Sequence, residues 1–327
     1  NPSVAVLTGS AIDVKTLVNE EGFTCGDMTS VAVSPDGNRL AAAIQAEDYD
    51  KPGRVAIFTF GDNGSLNFDK AYETGVQPDM VVFADNDTIL TADEGEPRES
   101  YAQTSSSSVS VTTDPAGSVT FVDLEEDSAL VLDFTDFDAK RQELLGAGVV
   151  LKKDTAPSVD LEPEYIAVVG DKAYITLQEA NAVAVLDLAS KEFTGIYSAG
   201  VQDYSDIPID LDNTSEEEDG GAYTPRYYND TYGLRMPDGI AAYQANGKTY
   251  ILTANEGDSR EWGDKKKGTK YKNEDEEKLT ATDGTETSKD VRTLTADYEG
   301  QPGLADGSKN YLFGGRSFSL FEAADNG

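Results

Sequence analysis

The sequence predicts an all-β fold, a β-propeller built of four-stranded antiparallel blades. Three observations carry the prediction: a unit of roughly 40 residues that recurs along the chain, strand-length runs rich in Val, Ile, Tyr and Phe within each unit, and tight Asx-Gly turns between the runs. The first unit, 29–75, begins TSVAVSPDGNRLAAAIQAED and continues GRVAIFTFGDNGSLNFDKAYETG. The second, 76–137, begins PDMVVFADNDTILTADEGE at Pro78 and resumes GSVTFVDLEEDSALVLDF at Gly117. The third, 161–200, is the most compact, PEYIAVVGDKAYITLQEANAVAVLDLASKEFTGIYSAG. The fourth, 235–323, begins PDGIAAYQANGKTYILTANEGD at Pro237 and resumes RSFSLFEA at Arg316.

In each unit the first two runs are joined by a turn of hairpin chemistry: Pro35-Asp36-Gly37-Asn38, Asp85-Asn86-Asp87, Gly170-Asp171 and Asn246-Gly247. Four short strands per unit distinguish a propeller blade from a β-sandwich with coincidental spacing. The chain supplies about four blades, read as part of a larger ring of roughly six to eight. Ahead of the first unit, Val4 to Leu7 and Ile12 to Leu17 read as strands, and the absence of an initial Met reads as a processed or excerpted chain.

Long interruptions fall at 95–116 and 257–315, between second and third strands, and at 138–160 and 201–234, between units. In an up-and-down blade both kinds of connection emerge on one face. One face is therefore plain and the other carries all the elaboration, which is where function usually sits. Within these stretches Asp138 to Gly148 reads as a short helix. Ser105 to Ser108, Glu216 to Gly221 and Lys265 to Asp290 read as flexible.

Composition excludes much chemistry. Lys plus Arg is 26 and Asp plus Glu is 61, giving 26 − 61 = −35, with no basic stripe for nucleic acid. There is no histidine, which removes His-based triads and zinc sites, and the lone Cys25 excludes a disulfide framework. No apolar run reaches the ~20 residues a membrane helix needs. A hydrophobic share of 38%, with 16 Tyr and 12 Phe, still supports a packed core.

What remains is carboxylate chemistry. Aligning ILTANEG, ILTADEG, YITLQEA and AAIQAED places Glu256, Glu94, Glu179 and Glu47 together at the ends of second strands. Three units open on proline and an acid, which adds Asp79, Glu164 and Asp238, while Glu96 and Asp258 follow the strand-end glutamates and Glu162 precedes Pro163. Both sets should rim one mouth of the central channel. Acids crowded there repel unless protonated, solvated or bound to a cation. An all-oxygen donor set suits Ca²⁺, and Mg²⁺ less well. The plainer alternative is that each acid hydrogen-bonds amides of the next blade and simply holds the ring. No D-x-D-x-D-G loop is present, so EF-hand chemistry is not implied. Arg98 and Arg260 follow the acids in matching places and Arg316 re-enters the fourth unit; they are candidate contacts for a phosphate or carboxylate, or ion-pair partners of adjacent acids. Trp262 reads equally as a stacking platform or a loop anchor.

DLEPEYIAV, AYITLQEANAVAVLDL, PDGIAAY, TYILTANEGDSRE and FGGRSFSLFEA resemble the choice-of-anchor I family, secreted or surface-attached propellers that include proteins called mesenchyme-specific cell surface glycoproteins. The resemblance runs from about Thr29 to the end. It implies a β-propeller, export, and attachment or release at the cell surface. More distantly, the acid-rimmed design is similar to calcium-dependent phytases and propeller-type alkaline phosphatases. Two functions follow as expectations. One is a calcium-stabilised extracellular scaffold that binds other surface proteins or itself and is not catalytic. The other is a metal-dependent phosphoesterase in which Arg98 or Arg260 holds phosphate. Sequons at Asn63, Asn86, Asn213 and Asn229 are a faint sign of a glycosylated, secreted chain.

Overall fold

The computed structural model describes residues 12–18, 22–62, 65–103, 108–211, 223, 225–260, 276–278 and 291–324. Ile12–Leu17, expected as a strand, instead holds a short helix, α1 (Val14–Leu17), because the Asp13 carboxylate caps it by accepting from the Lys15 amide at 3.1 Å. The Val4–Leu7 expectation lies outside the described residues, as do Asn63, Asn213, Glu216–Gly221, Trp262 and most of 265–290.

The first sheet runs β1 (Cys25–Val33), β2 (Arg39–Ala46), β3 (Pro52–Phe60) and β4 (Leu66–Val76), each pairing antiparallel with the next. The second contains β5 (Pro78–Phe83) and β6 (Thr88–Asp93). A hairpin of β7 (Arg98–Gln103) and β8 (Ser108–Thr113) then leaves the sheet, which resumes with β9 (Ser118–Asp123) and β10 (Ser128–Asp133). A 3-10 turn over Thr135–Lys140 and α2 (Arg141–Gly146) supply the expected helix, three residues early. After β11 (Leu151–Lys152) and α3 (Pro157–Asp160) comes the third sheet: β12 (Pro163–Val169), β13 (Lys172–Leu177), β14 (Ala182–Asp187) and β15 (Glu192–Ser198).

The fourth unit is interrupted by its insertions. Between β16 (Val201–Asp203), β17 (Thr231–Leu234) and the terminal strand stand β18 (Pro237–Ala245), β19 (Lys248–Asn255), β20 (Glu276–Lys278), β21 (Arg292–Leu294), β22 (Tyr298–Glu299) and β23 (Asn310–Leu312), with β24 (Ser317–Ala323) last. Its sheet has three described strands, β18-β19-β24, while β16, β17, β23, β21 and β20 form a separate sheet with a parallel β17–β23 pair. Strand pairing in the four repeat sheets is thus within units.

Turn chemistry explains the hairpins. Asn246 and Gly247 both have positive φ, 53° and 76°, as the tight β18–β19 turn demands. Asp123 and Asp187 are the matching last residues of β9 and β14, and each accepts from the amides two and three residues on.

The sheets stack through alternating residues. Ala41, Ala43, Val55 and Ile57 of the first meet Val81, Phe83, Ile89 and Val122 of the second. The opposite face of the second, Leu90, Ala92, Val119 and Phe121, meets Ile166, Ala173, Ile175 and Leu177 of the third. Tyr174, Val183 and Val185 then meet Ile240, Ala242, Ile251 and Phe321 of the fourth. Successive first strands lie side by side, β1 on β5, β5 on β12 and β12 on β18. On the far face of the fourth sheet, Phe318 and Leu320 stand where Val119 and Phe121 stand in the second, yet they are 78% and 55% exposed. No helix among the described residues is long and apolar enough to cross a membrane.

Candidate functional site: an acidic centre at the insertion end

Pro78, Pro163 and Pro237 open their first strands opposite Asp93, Leu177 and Asn255 at the ends of the second strands. Asp79, Glu164 and Asp238 follow the prolines, and Glu94 and Glu256 follow the second strands, so all five share one end of the sheets. The same pairing corrects the sequence alignment of the third unit. Gln178, not Glu179, takes the place of Glu94 and Glu256. Having no insertion, this unit closes with a tight turn in which Asn181 N–H donates to Gln178 O at 2.9 Å, and Glu179 sits within that turn. It still reaches the centre. Glu47 does follow β2, its amide donating to Thr24 O at 2.8 Å, but its side chain is exposed.

The centre is electrostatically loaded. Burial pushes the carboxyls of Glu94, Glu164 and Glu179 well above the ordinary range, and their neighbours push the same way. Glu164, Glu96, Glu162 and Asp79 act on Glu94; Glu179, Asp79, Glu162 and Asp238 act on Glu164; Glu162, Glu94 and Asp258 act on Glu179. Burial also raises Asp79, and raises Asp238 to about 6 with help from a hydrogen bond shared with Glu256. Glu179 is 9% exposed, and its Oε2 is buried without a hydrogen-bond partner. Among the described residues no group of three acids stands close enough to ligate a metal as it is arranged.

Arg260 is not on the open rim where an anion could reach it. Its side chain is 1% exposed: Nε donates to Glu162 Oε1 at 2.6 Å, Nη1 lies 2.8 Å from Asp160 and Nη2 lies 3.3 Å from Asp114. Burial alone would lower the guanidinium, but these three carboxylates hold it protonated. Burial nevertheless pushes Glu162 up to about 8 against the pull of the guanidinium, and Asp160 and Glu96 push the same way. Arg316 is exposed, with a left-handed φ of 45°. Arg98 begins β7, and its side chain lies outside the described residues.

Two devices escaped the sequence reading. Asp93 is fully buried and accepts from the Ser118, Thr120 and Thr91 hydroxyls and from the Gly75 amide, which ties β4 to the second sheet; burial still raises its carboxyl to about 6. Asn255 holds the matching place with Thr253, Ser317 and Ser319. The signal was present as T-A-D with S-V-T and T-A-N with S-F-S. The two insertions between second and third strands each leave and re-enter through a glycine neck. A Cβ on Gly95 would meet Ala116 O at 2.8 Å, and one on Gly257 would meet Gly314 N at 2.0 Å.

These motifs are distributed over the whole chain, and so is the family match: the family model described as the choice-of-anchor I domain matches residues 4–327. The chain belongs to the choice-of-anchor I family. No curated protein matches it. Among solved structures this choice-of-anchor I domain is similar to Kuenenia stuttgartiensis hydrazine synthase, at 16% identity and TM-score 0.37, over 69% of this chain and 55% of that one. It is similar to a nidogen/laminin complex at 12% identity and TM-score 0.31, over 54% and 48%. The β-propeller domain of Myceliophteria thermophila Cps50 (Swd1) gives 10% identity and TM-score 0.32, over 72% and 76%. The domain spans about half the length of the first two chains.

Proposed function

We propose that the chain acts as a calcium-stabilised, non-catalytic β-propeller module, secreted or held at the cell surface, whose acid-lined end is its working face. The observation that carries the reading is the convergence of Asp79, Glu94, Glu164, Glu179 and Asp238 from three successive sheets, crowded and partly buried with Glu179 Oε2 left without a donor. Family membership supports the surface setting. The uncovered Phe318 and Leu320 support a ring larger than four blades, since their counterparts are buried against a following sheet. The scaffold reading is favoured over a phosphoesterase because Arg260, one of two arginines that chemistry would use on phosphate, is committed to Glu162, Asp160 and Asp114.

Thermal melts in millimolar Ca²⁺, in Mg²⁺ and in chelator should separate, with Ca²⁺ highest. A ligand bound by the folded state adds ~2.7 kcal/mol at a hundredfold excess over Kd. NaCl at matched ionic strength should not reproduce the shift, because screening acts on exposed charges and these are buried. Coincident melts, or full substitution by NaCl, would sink the cation reading and leave ordinary inter-blade packing.

A further inference from the structure

We infer that the outer edge of β10 is a docking site for an extended segment of another protein, one with apolar residues in its middle and Lys or Arg at both ends. The edge lies on the rim of the second sheet, on the side away from β5, so the inference is independent of the cation reading.

An outermost strand leaves a row of backbone N–H and C=O groups unpaired, and folded chains blunt such a row with charges, bulges or a covering element. The three complete sheets differ in how they do so. β4 carries Asp69, Lys70 and Glu73 and is bulged at Asp69, since Ile57 pairs with Lys70 but Phe58 with Phe68. β15 opens on Glu192 and is bulged at Thr194, between the Val185–Gly195 and Leu186–Phe193 pairs. β10 has neither defence. Ser128-Ala129-Leu130-Val131-Leu132 holds no charge, Gly or Pro, and the strand pairs with β9 without a shift from Ser128 to Asp133. Among the described residues no strand pairs with its other edge, and Leu130 and Val131 are 48% and 46% exposed. A regular, uncharged edge is what strand addition needs: main-chain hydrogen bonds hold the incoming strand and its alternate side chains select it.

Charge decides which strand fits. Glu125, Glu126 and Asp127 stand at the hairpin end of β10, Asp133 and Asp136 at the other, all exposed. Asp127 is paired with Lys70, but among the described residues none of the other four is in an ion pair. Lys140, near the Asp133 end in sequence, lies over the Phe137 ring. A second copy is disfavoured. Antiparallel self-pairing that sets Ser128 opposite Asp133 brings Glu126 and Asp127 of one copy towards Asp133 and Asp136 of the other, so like charges meet at both ends. The same acids attract a strand whose ends are basic.

The test is titration of the whole chain with the fluorescently labelled peptides KKTVTVTVKK and EETVTVTVEE, followed by amide hydrogen exchange on the complex. The basic-ended peptide should bind saturably and the acid-ended one should not, and exchange should slow at Ala129–Leu132. Val131→Asp adds negative charge at an exposed site, yet should bind the basic-ended peptide roughly tenfold less tightly, because it sets a charge between two paired strands. Equal or tighter binding by Val131→Asp would show diffuse attraction to an acidic surface and overturn the inference. So would equal binding of the two peptides, or slowed exchange only outside β10. Slowing at β10 that grows with protein concentration in the absence of peptide would make a second copy the occupant and overturn it too. The exchange readout on the parent decides the matter even where the variant does not fold.

Discussion

Gly314→Ala is expected to cost the fold roughly 3 kcal/mol or more, the range of substitutions that force backbone to move. A Cβ at this position would lie 1.7 Å from the Glu256 carbonyl oxygen and 2.7 Å from its carbon. Neither atom belongs to a flexible side chain, so two strand connections must separate. The φ of +73° adds the strain that any L residue meets in the left-handed region, about 1–2 kcal/mol. Gly247→Ala isolates that second contribution, because Gly247 has φ +76° and open space around its Cβ. Urea unfolding of both variants should show the Gly314 change costing clearly more. Equal losses would mean that the neck between Glu256–Gly257 and Phe313–Gly314 is not closed as described.

Arg260→Met is the second large effect. It leaves Glu162, Asp160 and Asp114 buried around an apolar side chain, and breaking a buried ion pair by removing one partner typically costs about 3–5 kcal/mol. The loss should depend on pH. Burial pushes the Glu162 carboxyl up to about 8 even with Arg260 present, and without the arginine it can only rise. A carboxyl whose folded pKa exceeds its unfolded one binds its proton more tightly in the fold, so its protonated form stabilises. That stabilisation is complete below its ordinary value of 4.5 and is lost as pH rises through about 8. Below about 8 parent and variant both keep this proton in the fold, so the variant's deficit relative to the parent should be nearly constant there and grow as pH rises past about 8. A pH-independent loss would mean that the guanidinium contributes packing and not charge.

How much of this could be read from the sequence depends on the length scale of the cause. The four sheets were legible because alternation and turn residues act within a few residues, as at Asn246-Gly247. The shared end of the acids was legible because antiparallel connectivity alone puts strand starts and alternate strand ends together. Glu179 was misaligned because YITLQEA and ILTADEG carry a Thr and a Glu at the same spacing, while the compact turn at Gln178–Asn181 shifts its pairing by one residue. Arg260 was read as a rim residue because its partners come from far away, Asp114 from the insertion in the second unit, Asp160 from α3 ahead of the third and Glu162 from the start of the third. The insertion strands β17 and β23 pair parallel across some 75 residues, and no local pattern announces such a pairing.

The central claim is that the acid-lined end is a cation centre and not merely a crowded surface. Equilibrium dialysis against radioactive calcium at fixed ionic strength addresses it most directly, because it counts ions and is indifferent to stability. Saturable uptake of a whole number of ions per chain, unaffected by exchanging sodium for potassium, is the predicted result. Uptake that rises without saturating and falls in proportion to added monovalent salt would show diffuse attraction to a net charge of −35, and would contradict the account.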